Sequence, residues 1–219
     1  MATIVLVHGS MHGAWCWDLV TPLLVDLGHT VRAIDLPGQG ADNSPAHEVT
    51  ADDWAEAVAR AVRSAQSPVI LVGHSIGGTA VSQGAERVSD QVQGIIYLSA
   101  IMIPTGETLL SACPEVLEIA ERTARDFPDP AAATTHLLYG HTPPELAAMA
   151  IERLRPQPEQ VIGSPLLLTD DHYGRIPRAY IECADDRIVT LALQRRMQVA
   201  LPCSVAVTMP GDHSPFLSA

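Results

Sequence analysis

Residues 68–78 read PVILVGHSIGG. The run PVILV is apolar and β-branched, the pattern of a strand buried on both faces. It stops at Gly73, and GGTAVSQGAERV (77–88) continues with helical spacing despite Gly84. Between the two stands one serine, Ser75, with glycines two positions away on either side. As punctuation alone, Gly and Ser would merely end the strand. Flanked by a strand and a helix, the same residues fit G-x-S-x-G, a sharp turn that lifts one hydroxyl clear of the sheet.

Working outward, TIVLV (3–7), HTVRAID (29–35), GIIYLSA (94–100), RAYIEC (178–183) and SVAVTM (204–209) are further strand candidates. Helical patterns separate most of them. From Trp15 onward, Val20, Leu23, Leu24 and Leu27 fall at i, i+3, i+4, i+7, with Pro22 starting or kinking the regular part and Gly28 ending it. Thr50 lies three before Asp53, a capping-box spacing, and Trp54, Val58, Ala61 and Val62 follow at helical intervals. Strand, helix, strand in this rhythm predicts βαβ units and a parallel sheet, with right-handed crossovers carrying helices to both faces. The alternation lapses between about 104 and 176, a proline-rich stretch with helices expected at 114–126 and 143–154. The expected organisation is therefore one domain, with residues 1–103 and 177–219 as core and 104–176 as an inserted helical cap. The alternation resumes with RAYIEC and a helix over 191–201.

Bulk properties narrow the function. Of 219 residues, 47% are apolar and 17% charged, a globular composition with room for a sizeable core. Thirteen basic against 25 acidic residues give a net charge of −12, which repels phosphate backbones and argues against nucleic acid. The opening MATIVLVHG is too short and lacks the basic flank for a signal segment, and no run is long enough to span a membrane. Cys16, Cys113, Cys183 and Cys203 have no CxxC or zinc spacing and are expected as buried free thiols. A cytoplasmic protein without membrane partners is the expectation. The oligomeric state is open, with a homodimer as one option.

An alcohol needs a base before it attacks, and a base needs a carboxylate to fix its tautomer. His213, in PGDHSPF after the last strand, and the pair Asp185–Asp186, just past RAYIEC, both fall where parallel strands deliver their C-terminal loops. The order Ser, Asp, His is the one this architecture uses. Spacing alone does not choose between the two aspartates. The Ile76 N–H, opening the next helix, and the Ser10 N–H, in the loop HGSMHGAW (8–15), are the expected oxyanion donors. Each such donor is worth about 3 kcal/mol when removed singly. Met11 and His12 follow in that loop as candidates to contact substrate.

Taken together, VLVHGSMHGAWCW, AIDLPGQG, GHSIGG, the DDR after YIEC, and GDHSPF resemble the α/β-hydrolase superfamily. More closely, they are similar to the branch holding plant methylesterases, hydroxynitrile lyases and related bacterial, pyrethroid-type esterases. The resemblance implies that the aspartate directly before the basic residue is the triad acid, which selects Asp186. It implies a catalytic triad of Ser75, Asp186 and His213, with no cofactor and no metal. Hydroxynitrile lyases of this branch carry a threonine after the first strand's histidine and a lysine after the catalytic one. Gly9 and Ser214 occupy those positions here, which points to ester hydrolysis. The family pattern also continues past the catalytic histidine into a final helix, whereas Ala219 comes six residues after His213.

Other features have plainer readings. His8 is expected to pack and hydrogen-bond, His74 to lie no nearer than behind the reacting groups, and Trp15, Trp17 and Trp54 to anchor the core. TDDHYG (169–174) reads as a solvated loop, not a metal cluster. The apolar residues of 104–176 (Leu109, Leu110, Val116, Leu137, Leu138, Met149) are expected both as the cap's own core and as a wall excluding water from the substrate. The expected activity is cleavage of a small, largely apolar carboxylic ester through an acyl-enzyme. The rivals are a lyase or cyclase using the same triad for C–C or lactone chemistry, and a receptor that keeps the pocket without turnover.

Overall fold

Six apolar runs pair in parallel throughout, in the order β2-β1-β3-β4-β5-β6, in a computed structural model that describes residues 1–218. The strands are β1 (Thr3–Val7), β2 (Thr30–Ile34), β3 (Val69–His74), β4 (Val92–Leu98), β5 (Arg178–Cys183) and β6 (Val205–Met209). The order reverses between β1 and β3. In open parallel sheets the loops leaving the C-terminal ends diverge at such a point and leave a crevice. The loops that diverge here are the ones after Val7 and His74, which hold Ser10 and Ser75.

Helix α1 (Val20–Asp26) is shorter than the pattern from Trp15 suggested. A separate 3₁₀ turn, Ala14–Trp17, precedes it. Pro22 is its third residue, where the N–H would have no intrahelical acceptor anyway. Only half of its apolar stripe is used: Val20 and Leu24 pack on the core, whereas Leu23 and Leu27 are 63% and 73% exposed. In α2 (Ala51–Arg63) the capping box forms as expected, the Thr50 hydroxyl accepting from the Asp53 N–H and the Asp53 carboxylate from the Thr50 N–H. Helix α3 (Gly77–Arg87) packs against α2, and Gly84 explains itself there. A Cβ on Gly84 would stand 2.6 Å from the Val58 Cβ, so the bare backbone lets the two helices close up. That contact offsets the ~1 kcal/mol glycine costs inside a helix.

Between β4 and β5 the chain forms α4 (Leu109–Ala112), α5 (Pro114–Asp126), α6 (Pro130–Leu138), α7 (Pro144–Arg153) and α8 (Glu159–Gly163). Helices α5 and α7 fall where periodicity put them. Helix α6 (PAAATTHLL) was not legible, because its small residues lie on every side and mark no stripe. Helix α9 (Leu191–Ala200) joins β5 to β6, and one helical turn, α10 (Pro215–Ser218), follows His213. Ala219 lies outside the described residues.

Trp17 and Trp54 are buried in the core, while Trp15 is half-buried. Cys16, Cys113 and Cys183 are buried and free, and Cys203 is free and half-buried. Within 169–174, Tyr173 alone is buried, and its hydroxyl bonds that of Tyr97 at 2.8 Å. Among the described residues, no helix is long and apolar enough to cross a membrane.

Candidate active site

Ser75 follows β3 directly, with φ at +52°, the left-handed region that a serine occupies only when its surroundings hold it there. Two contacts provide that hold. The Ile101 N–H donates to the Ser75 carbonyl at 2.8 Å, and the turn lies hard against the first strand's loop. A Cβ on Gly77 would come within 2.3 Å of the His8 carbonyl oxygen, so only glycine lets α3 begin there. Gly9 is equally tight, since a Cβ there would meet the Ser75 Cβ at 2.6 Å.

The Ser75 hydroxyl lies 3.0 Å from His213 Nε2, and His213 Nδ1 lies 2.6 Å from Asp186 Oδ2. The three loops thus bring together Ser75, Asp186 and His213 from positions 138 and 27 residues apart. Asp186 is 5% exposed and fully engaged. Its Oδ1 accepts the Ile188 and Val189 N–H groups at 2.8 and 2.9 Å, and its Oδ2 also accepts the Ser99 hydroxyl. Asp185 is exposed and, among the described residues, accepts only from the Gly211 N–H, at 3.3 Å. Because His213 Nδ1 must donate to a carboxylate, its Nε2 presents a lone pair to the Ser75 O–H.

His213 is anchored on both sides. His74 Nε2 donates to the His213 carbonyl at 2.7 Å, so His74 lies behind the reacting groups, as the sequence reading placed it. The buried Asp212 carboxylate accepts the Ser214 N–H at 2.9 Å and, from the far side, the His141 N–H at 2.7 Å. Neither Ser99 nor Asp212 carried a signal in the sequence: a lone Ser at a strand end, or an Asp beside a His, gains meaning only from its spatial neighbours.

Ser10, Met11, His12, Ser75, Ile76 and His213 open onto one cavity of about 190 Å³. The rest of its wall is apolar apart from Thr134, with Ile101 beside Leu109, Val116, Leu117, Leu137, Leu138 and Ile162 from the 104–176 stretch. Of the apolar residues expected there, Leu110 and Met149 instead face solvent. The cavity is smaller than the ~300–1,000 Å³ of pockets for drug-sized ligands. The Ser10 and Ile76 N–H groups donate to nothing else among the described residues.

Three histidines around this site are buried as neutral rings. Desolvation pushes His8 down to about 4 and His12 to about 3, and holds His74 well below its ordinary value. All three folded-state values lie under the unfolded value near 6.5, so the unfolded chain protonates first. Their contribution is fully present above about pH 6.5 and is lost as pH falls toward the folded values, by up to about 1.4 kcal/mol per pH unit for each ring. The urea midpoint is therefore expected to drop steadily between pH 7 and pH 5; a flat midpoint over that window would contradict the burial of these rings as neutral groups.

Comparison with known proteins adds kinship to the geometry. A family model described as "Alpha/beta hydrolase family" matches residues 4–219. Methyl jasmonate esterase 1 of Vitis vinifera is 33% identical over 240 residues, covering 98% of this chain and 90% of that protein. A pyrethroid hydrolase of Sphingobium wenxiniae is also 33% identical, over 98% of this chain and 82% of its own. Among solved structures, a methylesterase from Arabidopsis superposes with a TM-score of 0.85 at 27% identity, over 100% of this chain and 94% of that one.

Proposed function

The chain belongs to the alpha/beta hydrolase family, and we propose that it is a serine esterase that cleaves small, uncharged, apolar carboxylic esters. What carries the reading is the unbroken relay from Asp186 through His213 to Ser75, at 2.6 and 3.0 Å. His213 takes the Ser75 proton as Oγ attacks the ester carbonyl carbon. The carbonyl's π pair moves onto oxygen, where the Ser10 and Ile76 N–H groups receive it. Collapse expels the alcohol, protonated by His213, and leaves an acyl-Ser75. Water activated by the same imidazole then releases the acid. Asp186 keeps the proton of neutral His213 on Nδ1 and stabilises the imidazolium. The 104–176 stretch acts as the cap that keeps the cavity dry, with Met11 and His12 contacting substrate from the other side.

The esterase relatives support the substrate class, and the wall supports its polarity. Among the described residues no carboxylate, lysine or arginine lines the cavity. A charged acyl chain would enter without a partner, at a large desolvation cost. The neutral p-nitrophenyl butyrate is accordingly expected to exceed the hemisuccinate analogue in kcat/KM by about 100-fold or more. Near-equal values would remove the argument from the wall.

The mechanism itself is tested by rapid mixing with p-nitrophenyl butyrate. A burst of p-nitrophenolate equal to the enzyme present, with a butyryl mass on the Ser75 peptide, is the expected result. A burst that survives Ser75→Ala would assign the nucleophile elsewhere. Mandelonitrile serves as the control for the lyase alternative. Gly9 argues against fast cleavage, because the threonine expected of a lyase has no room beside Ser75 on this backbone.

A further inference from the structure

The loop after β1 has its carbonyls secured one after another. His8 Nδ1 lies 2.8 Å from the Gly9 carbonyl oxygen, and His12 Nδ1 lies 2.7 Å from that of Ser10. The Arg155 N–H reaches the Met11 carbonyl at 2.9 Å. A carbonyl oxygen only accepts, so both imidazoles carry their proton on Nδ1. The far nitrogens agree with that tautomer. The Leu36 N–H donates to His8 Nε2 at 3.1 Å, and the Tyr139 hydroxyl lies 2.8 Å from His12 Nε2. The His12 ring is further fixed by stacking on Trp15, with centroids 5.3 Å apart.

We propose that His8 and His12 are positioning residues of the oxyanion loop, their Nδ1–H groups holding the Gly9 and Ser10 carbonyls so that the Ser10 N–H stays aimed into the cavity. The inference rests on the serine-esterase reading above for the identity of the oxyanion. In a trans peptide the C=O and N–H point opposite ways, so a bond that fixes the Gly9 carbonyl also fixes the direction of the Ser10 N–H. The same bond polarises the peptide and strengthens that N–H as a donor. His12 holds the following peptide, where Met11 sits at φ +63° and the chain would otherwise relax. Burial keeps both rings neutral, consistent with one donating and one accepting nitrogen on each. Tyr139, at the end of α6, thereby couples the 104–176 stretch to the oxyanion loop.

The probe pair is 1,1,1-trifluorohexan-2-one and hexan-2-one. With the first, Ser75 Oγ bonds the carbonyl carbon, the π pair becomes an oxyanion, and the Ser75 proton passes to His213 Nε2. The second binds without that step. His8→Leu is expected to weaken the trifluoroketone about tenfold or more while leaving hexan-2-one within about twofold. His12→Leu, whose ring also lines the cavity, is expected to weaken the trifluoroketone at least about tenfold more than it weakens hexan-2-one. His8→Asn and His12→Asn, whose amide N–H stands where Nδ1–H stood, should recover most of the loss. Equal losses for both ketones mean a wall or packing role and overturn the proposal, as does no loss. Should a leucine variant not fold, Tyr139→Phe carries the test, with a smaller loss in the same direction expected and no change overturning it. ¹⁵N spectra of the imidazoles need no turnover: Nδ1–H on both rings is expected, and Nε2–H on either sinks the proposal. A wild type that binds the trifluoroketone no better than Ser75→Ala does would instead fault the serine reading, and the spectra would still judge the tautomers.

Discussion

Ser75→Ala is expected to reduce kcat for p-nitrophenyl butyrate by about 10⁵- to 10⁶-fold, with a melting temperature close to that of the parent. The size follows from what is removed. Among the described residues no other hydroxyl or thiol bonds His213 Nε2, so the imidazole is left with a lone pair and nothing to deprotonate except water. The cavity wall and both N–H groups survive the change, so substrate still binds and KM should move little. A residual rate above the uncatalysed one is expected from those donors. Retention of even a tenth of the parental turnover would remove Ser75 from the mechanism.

Asp186→Asn is expected to lower kcat by about 10⁴-fold. The carboxylate accepts four bonds, two on each oxygen. An amide has one accepting oxygen and one NH₂ group, so one side must clash. With the amide nitrogen toward Ile188 and Val189, two backbone N–H groups face a donor. With it toward His213, the imidazole moves its proton to Nε2 and loses the lone pair that Ser75 needs. The second arrangement keeps the backbone bonds and is the expected one, so the variant should fold, bind substrate and fail in chemistry. Imidazole ¹⁵N shifts would report the tautomer directly. An Asp186→Asn enzyme within tenfold of the parent would mean that His213 does not depend on this carboxylate.

Legibility in the chain followed the range of the physics. PVILV followed by GHSIGG is a local pattern, since strand periodicity and the steric demand of a tight turn act over a few residues. It was enough for the elbow, and the same local periodicity in the other apolar runs predicted the parallel sheet and the loops that follow its strands. The capping box before α2 was legible for the same reason. Helix α6 was not, for want of an apolar stripe, and the α1 stripe over-promised because half of it faces solvent.

The choice between Asp185 and Asp186 shows where linear reading stops. Adjacent residues in a loop differ only in the direction they point, and that direction is set by Ile188, Val189 and Ser99, the last of them far along the chain. Resemblance to a family selected Asp186, while spacing could not. The roles of Ser99, Asp212 and His74 are of the same kind. A hydrogen bond needs a distance of about 3 Å and a direction, and residues many tens of positions apart acquire both only when the sheet has brought their loops to one rim. Composition and periodicity therefore sufficed for the scaffold and the residue types on offer. Packing in three dimensions chose which of those residues meet, which nitrogen holds each proton, and how small and apolar the space before Ser75 is.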